Sequence, residues 1–198
     1  MFTTIRRNAP KFQAFFLFLV TAASLIAGDV ILGKSAYAQS LAEAYGSERL
    51  YLATGAPGDE EMAARIARHQ ADRGEGWMTL EEPVEIAAAL VKHAQAGRVV
   101  VVDCLTLWLS NLMLAGRDPG SAVTALADAV RALAGPAVLV SNEVGMGLVP
   151  DHKLGREFRD WQGRLNREIG AACDGVIFVA AGLPLQLKPA TTPSVYLG

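Results

Sequence analysis

Gly28-Asp29-Val30-Ile31-Leu32-Gly33-Lys34-Ser35 satisfies the phosphate-loop pattern G-x-x-x-x-G-K-[ST] at every fixed position. In such a loop successive backbone N–H groups surround the β-phosphate, the lysine reaches the β and γ oxygens, and the hydroxyl that follows sits on Mg2+. Gly28, Gly33, Lys34 and Ser35 are accordingly candidate nucleotide-binding residues, with Ser35 also a candidate metal ligand. The variable positions argue the other way. Val30, Ile31 and Leu32 are branched or bulky, resist the tight, partly left-handed turns of a phosphate cradle, and favour continuing a strand or an apolar helix.

Upstream of the loop, Arg6, Arg7 and Lys11 precede an apolar stretch from Ala14 to Ala27, and Ala36-Tyr37-Ala38 has the small-x-small form of a cleavage site. This pattern reads as a secretory signal or a short membrane anchor, although Asp29 and Lys34 interrupt the interval before the cleavage site. Cleavage after Ala38 would remove Lys34 and Ser35, so the two readings exclude one another in one molecule. The expected organisation is an atypical signal-like or anchor-like extension over 1–27, a phosphate-loop domain over 28–188 and a loose tail over 189–198. Membrane contact is expected only through residues 1–27.

The 198 residues, 52% hydrophobic and 19% charged, suffice for one sizeable core and point to a single compact domain. A net charge of -2, with 18 Lys and Arg scattered along the chain, offers no basic face to nucleic acid. Cys104 and Cys173 lack metal-ligand spacing and read as reduced thiols of a reducing compartment, so a cytoplasmic location is expected.

From residue 40 onward, β-rich runs alternate with helical text. Leu50-Tyr51-Leu52-Ala53-Thr54 predicts a strand that ends at a Gly-Ala-Pro-Gly turn, and 59–72 predicts a helix with Met62, Ile66 and His69 on one stripe. A second amphipathic helix is expected over 84–96. Arg98–Val102, Ala137–Ser141 and Val176–Ala180 are continuous apolar runs, as expected of strands buried on both faces, with helices over 121–134 and 156–172. The alternation predicts an α/β fold with a mostly parallel sheet and helices on both faces.

Ligands collect at the carboxyl ends of such strands. Thr54, Asp103, Asn142, Glu143 and Gly182 stand there. An aspartate directly after four valines is either the carboxylate that holds the Mg2+ of a nucleotide or a cap at a strand-to-helix turn.

Four segments carry a resemblance to a known family: GKSAYAQSLAE (33–43), LYLATGAPGDEEMAARIARHQADRGEGWMTLEEP (50–83), VVVVDCLTLWLSNLM (99–113) and VLVSNEVGMGLVPDHKLGREFRDWQGRLNREIGAACDGVIFVAAGLPLQLK (138–188). In this text the chain resembles the bifunctional adenosylcobinamide kinase and adenosylcobinamide-phosphate guanylyltransferase family of cobalamin biosynthesis. The resemblance implies a P-loop NTPase fold of RecA-like type. It also implies phosphorylation of the aminopropanol hydroxyl of adenosylcobinamide by ATP or GTP. Formation of a guanylyl-histidine from GTP follows, and then transfer of GMP to adenosylcobinamide phosphate.

The histidine so implied is His69, in ARIARHQADR. A neutral imidazole nitrogen can attack the α-phosphate, and the resulting P–N bond is labile enough to be broken by the incoming phosphate. The plain alternative is a packed histidine on the Met62 and Ile66 stripe. By the same resemblance Gln70, Ala71, Asp72 and Arg73 fall on the guanine-nucleotide segment, with Arg73 neutralising phosphate charge. Ala53, Thr54, Glu81 and Asp103 fall on nucleotide-binding positions, and Asp103 is the metal-side carboxylate. GTP, ATP and Mg2+ are the implied cofactors, and a homo-oligomer, a trimer, is the implied assembly. His93 and His152 lie outside the guanylylation motif and read as surface residues, while Trp77, Trp108 and Trp161 read as core or rim packing.

The family loop reads G-G-A-R-S-G-K-S, whereas Asp29-Val30-Ile31-Leu32 stands here in place of its small and basic residues. Three readings follow: an active bifunctional enzyme with an atypical loop, a family member with a defective loop and weak or no activity, and an exported or membrane-tethered cobinamide-binding module.

Overall fold

A computed structural model describes residues 23–28, 33–46, 48–55 and 76–189. Its elements are β1 (Ser24–Gly28), α1 (Lys34–Tyr45), β2 (Glu48–Ala53), β3 (Trp77–Glu81), α2 (Ile86–His93), β4 (Arg98–Asp103), α3 (Leu105–Leu114), α4 (Pro119–Arg131), β5 (Ala137–Val140), α5 (Lys153–Ala172), β6 (Gly175–Ala180) and β7 (Leu183–Lys188). They form a seven-stranded sheet of order β3-β2-β4-β5-β1-β6-β7. Only the edge strand β7 runs antiparallel to its neighbour.

The valines of β4 show why the sheet is covered twice. Val99, Val100, Val101 and Val102 are all at 0% exposure. Side chains alternate across a strand, so Val100 and Val102 enter one core and Val99 and Val101 the other. The first core holds Ile86 and Leu90 of α2, Trp108 and Leu109 of α3, Leu126 of α4 and Leu165 of α5. The second holds Ala38, Leu41 and Ala42 of α1. Helices on both faces of a mostly parallel sheet are therefore what the alternating text produces.

The expected start of the domain at residue 28 is corrected. Ser24–Gly28 is an interior strand, hydrogen-bonded between β5 and β6, with Leu25 at 2% and Ile26 at 0% exposure. An interior parallel strand is apolar on both faces, and its text cannot be told from the apolar core of a leader by composition. These residues are buried in the sheet, and residues 1–22 lie outside the described residues. The expected cleavage site falls inside α1, where Ala38 is fully buried. No described helix is long and apolar enough to cross a membrane.

The helix expected over 59–72 lies outside the described residues, as does the tail from 190. β1, α1, α3, β3 and β7 join the elements that were foreseen. α4 and α5 begin earlier than periodicity alone suggests, because their caps sit upstream. Asp118 accepts hydrogen bonds from the N–H groups of Gly120 and Ser121 at 3.3 and 2.9 Å, with Pro119 in the first turn. His152 Nδ1 accepts from Gly155 N–H at 3.0 Å. At the far end of α5, Lys188 Nζ donates to the carbonyls of Gly170, Ala171 and Cys173, placing a cation on the negative end of the helix.

Candidate active site

β1 delivers the chain toward the phosphate-loop text, and α1 starts immediately after it. Gly33 precedes α1 with φ +121°, a conformation in the region that favours glycine. A Cβ there would stand 3.2 Å from Gly182 Cα and 3.4 Å from Val179 Cγ1, so the turn is also pressed against the end of β6. Lys34 is the first residue of α1, only 6% exposed, and Ser35, the second, is half-buried. No side chain caps α1 and its first turn has no acidic residue. A helix N-terminus of this kind directs N–H groups and a partial positive charge at an anion. Residues Asp29–Leu32 lie outside the described residues.

Across the same edge of the sheet, strand register sets a row of residues. Glu81 pairs with Ala53, Ala53 with Asp103, and Asp103 with Val140. Three of the expected site positions thus occupy one level of three adjacent strands, while β5 separates Asp103 from β1. Glu81 is exposed at the end of edge strand β3.

Asp103 does not cap the helix that follows it. The cap of α3 is Cys104, without a side-chain cap bond. Asp103 Oδ2 instead accepts from the Tyr51 hydroxyl at 2.7 Å, which holds the carboxylate at the end of β4. Tyr51 is itself braced by an edge-to-face contact with Trp77 at 6.2 Å between ring centres. A carboxylate held by a neighbour at the carboxyl edge of the sheet is the kind of group that suits a hard cation, and Ser35, at the start of α1, follows the strand two places along the same sheet. Mg2+ commonly uses one or two protein oxygens and takes the rest from phosphates and water. Among the described residues no group of three or more His, Cys, Asp and Glu could hold a metal on its own.

Thr54 is at 0% exposure and its hydroxyl is fully engaged, donating to Cys104 O at 2.7 Å and accepting from Cys104 N–H at 2.8 Å. Asn111 Nδ2 donates to Thr54 O at 2.8 Å and to Pro83 O at 3.1 Å. The Thr54 side chain therefore locks the end of β2 to the turn after β4. Its backbone is engaged as well, since Thr54 N–H donates to Asp103 O at 3.1 Å. His69, Gln70, Ala71, Asp72 and Arg73 lie outside the described residues.

His152 is exposed, as expected, and is spent on the α5 cap, while His93 is half-buried. Burial, with Lys92 and Arg98 adding to it, holds the His93 imidazole below its ordinary range. Trp108 is core, at 2% exposure, with its Nε1 donating to Val84 O at 2.7 Å, and Trp77 and Trp161 line the rim of the packing. Cys104 and Cys173 are both buried free thiols, which burial pushes up to about 11 and about 12 respectively. They are held as thiols, and neither is a nucleophile for this site.

The cobinamide kinase / cobinamide phosphate guanyltransferase family model matches residues 24–187, which takes in every described element but for Lys188, the last residue of β7. The chain belongs to this family. It is 46% identical over 167 residues to the bifunctional adenosylcobalamin biosynthesis protein CobP of Pseudomonas aeruginosa, covering 83% of this chain and 96% of that protein. To the bifunctional adenosylcobalamin biosynthesis protein CobU of Escherichia coli it is 34% identical over 179 residues, covering 83% and 98%. Among solved structures, an ATPase of a bacterial type III secretion system aligns with TM-score 0.52 and 12% identity over 85% of this chain and 55% of that one, a likeness of fold alone. The fold is that of a P-loop NTPase, and the family match starts at β1, at Ser24, the residue where the sheet itself begins.

Sequence reasoning missed the polar support beneath the site. Tyr51 lay inside a strand and gave no sign of its reach to Asp103. Gln162 and Asn166, four apart on α5, carry a signal in retrospect: two amides at helical spacing between Trp161, Leu165 and Ile169, on a face that packs into the core.

Proposed function

We propose that this chain phosphorylates the aminopropanol hydroxyl of adenosylcobinamide with ATP or GTP, and then passes GMP from GTP, through a guanylyl-histidine at His69, to adenosylcobinamide phosphate. The observation that carries this reading is the convergence of Lys34, Ser35 and Asp103 on one edge of the sheet in a chain of this family. In the proposed site Gly28, Gly33 and the start of α1 cradle the phosphates and Lys34 neutralises them. Ser35 and Asp103 hold Mg2+, which when bound screens the triphosphate charge. Ala53, Thr54 and Glu81 border the nucleotide. Gln70, Ala71, Asp72 and Arg73 follow His69 in sequence and supply the guanine-nucleotide contacts of the second reaction. Incubation of the intact chain with adenosylcobinamide, GTP and Mg2+ tests the whole: the phosphorylated and then the GDP-linked corrinoid should accumulate. A corrinoid recovered unchanged, from a chain that binds it, would favour a binding module.

The apolar loop sets a quantitative expectation. Asp29 brings a carboxylate toward the phosphates, and Val30, Ile31 and Leu32 oppose the turns that aim N–H groups inward, both acting against the anion. The quadruple change Asp29→Gly, Val30→Ala, Ile31→Arg and Leu32→Ser is expected to tighten GTP by at least about tenfold, roughly 1.4 kcal/mol. Calorimetric titration of both forms in Mg2+ measures it, and equal affinities would show that the apolar loop accommodates the phosphates as it stands.

We further propose a homo-oligomer working in the cytoplasm. Leu183, Leu185 and Leu187 alternate along β7 and are 72, 57 and 52% exposed, a stripe that a second copy would cover. Light scattering of the purified chain and fractionation of cells check the two statements.

A further inference from the structure

Glu143 has the setting of a catalytic base. β5 lies between β4, which ends in Asp103, and β1, which leads to Lys34, and Val140 is in register with both Asp103 and Ile26. Beyond Val140 the chain leaves the sheet through Ser141, Asn142 and Glu143, so Glu143 emerges at the carboxyl edge between the strands of the metal-side and phosphate-side residues. The segment is tied to both. Ser141 N–H donates to Ile26 O at 2.8 Å, and Asn142 N–H donates to Thr106 Oγ1 in the first turn of α3 at 2.9 Å.

A buried network underlies the carboxylate. Asn166 Nδ2 donates to Asn142 O at 3.0 Å and reaches Glu143 Oε2 at 3.5 Å. Asn166 Oδ1 in turn accepts from Ser141 Oγ at 2.6 Å and from Gln162 Nε2 at 3.0 Å. Gln162 is at 0% exposure, and its Oε1 finds no partner among the described residues. Leaving a buried amide oxygen unpaired costs stability, so this network is poorly explained as a device for holding the fold together. What it does fix is the orientation of Asn166 and the path of the chain through Glu143. Glu143 Oε1 accepts from Gly145 N–H at 2.8 Å, and a Cβ at residue 145 would stand 2.8 Å from that same oxygen, so a larger residue there would push the carboxylate aside. Oε2, with one long contact, keeps lone pairs for an incoming hydroxyl.

The loop beyond Glu143 is braced and apolar. Met146, Leu148 and Val149 are 78, 96 and 66% exposed, while Arg159 Nη2 pins Gly145 O at 2.9 Å and Arg156 Nη1 pins Asp151 O at 2.7 Å. An acceptor with a large, partly apolar ring is the kind of molecule such a loop can support.

Resting on the reading of this chain as a cobinamide kinase, we infer that Glu143 is the base that takes the proton of the acceptor hydroxyl during phosphoryl transfer, and that Asn166 positions it. The O–H proton passes to Glu143 Oε2 while the hydroxyl oxygen bonds to the γ-phosphorus. The bond from that phosphorus to the β–γ bridging oxygen breaks, and its electron pair leaves with the nucleoside diphosphate. The proton then returns from the carboxylic acid to water. Guanylylation of histidine has no acceptor hydroxyl to deprotonate, so the two activities should separate.

The test compares the intact wild-type chain with Glu143→Gln, Glu143→Asp and Asn166→Ala, following kinase kcat and KM, labelling of the protein by GTP, and GTP affinity by calorimetry. Glu143→Gln is expected to lower kinase kcat by about 10²-fold or more, with labelling and GTP affinity changed by less than about threefold. Glu143→Asp, which keeps the carboxylate one methylene back, should retain more kcat than Glu143→Gln. Asn166→Ala should lose about tenfold in kcat at an unchanged KM for GTP. A Glu143→Gln variant within about threefold of wild-type kcat overturns the assignment, as does a parallel loss of both activities and of GTP affinity. A wild-type chain that binds GTP yet leaves adenosylcobinamide unphosphorylated overturns the proposed function itself and this step with it.

Discussion

His69→Ala will carry no label after incubation with GTP labelled in its α-phosphate, whereas the wild-type chain will hold a GMP adduct that survives alkali and is lost in acid. The expectation follows from the chemistry of imidazole. Its neutral nitrogen is a competent nucleophile near neutral pH, and a phosphoramidate is stable when deprotonation prevails but breaks down once the nitrogen is protonated. Alanine removes the nucleophile, and no other residue substitutes. Among the described residues the two other histidines are separated in role: His152 caps α5 and His93 sits at the end of α2. The effect is a complete loss of the adduct, while phosphorylation of adenosylcobinamide persists, since that step requires no covalent intermediate on the protein. Label on His69→Ala equal to wild type would move the nucleophile elsewhere.

The second large effect is expected at Asp103. Replacement by asparagine preserves shape and the hydrogen bond from Tyr51, but removes the negative charge that the proposed Mg2+ site relies on. Loss of one preorganised electrostatic partner in an active site commonly costs about 10²- to 10³-fold in rate. In the proposed function both phosphoryl transfer and guanylylation draw on a metal-bound triphosphate, so both should fall together in Asp103→Asn. Raising Mg2+ should recover part of the loss. Stability should change little, because the side chain lies at the edge of the sheet, outside both cores. Tyr51→Phe isolates the aiming of the carboxylate and should cost about 10-fold, the low end for residues that orient a ligand. Full activity of Asp103→Asn at low Mg2+ would return the residue to a structural role.

Much of this architecture was legible because parallel strands buried on both faces must be written as apolar runs, and β4 and β5 are such runs bounded by helical text, while β6, equally apolar in sequence, is fully buried on one face only. The same rule hid β1. Its five residues continue an apolar stretch that has the character of a leader, and nothing local distinguishes an interior strand from one. Asp103 was legible as a choice between metal carboxylate and helix cap, and the structure removes the second, since Cys104 is the cap residue of α3 and the Asp103 carboxylate accepts from Tyr51 instead. Asn142 and Glu143 were visible as polar residues after a strand. What supports them was not, since Gln162, Asn166 and Thr106 are brought to that strand end by packing of α5 and α3, a relation across the chain that periodicity does not encode.

The position of β1 has a consequence for how the molecule is assembled. Its neighbours β5 and β6 are made long after it, and the hydrogen bond from Ala23 N–H to the Asp174 carboxylate closes a span of 151 residues. The strand that leads to the phosphate loop is therefore synthesised early and paired late. Such distant pairings raise the contact order and slow the acquisition of structure, because the entropy of closing the long loop is spent before the contacts repay it. Until β5 emerges β1 has no partner on either side, and until β6 emerges it has a partner on one side only. Nucleotide-binding competence thus arrives only when nearly all of the domain has left the ribosome.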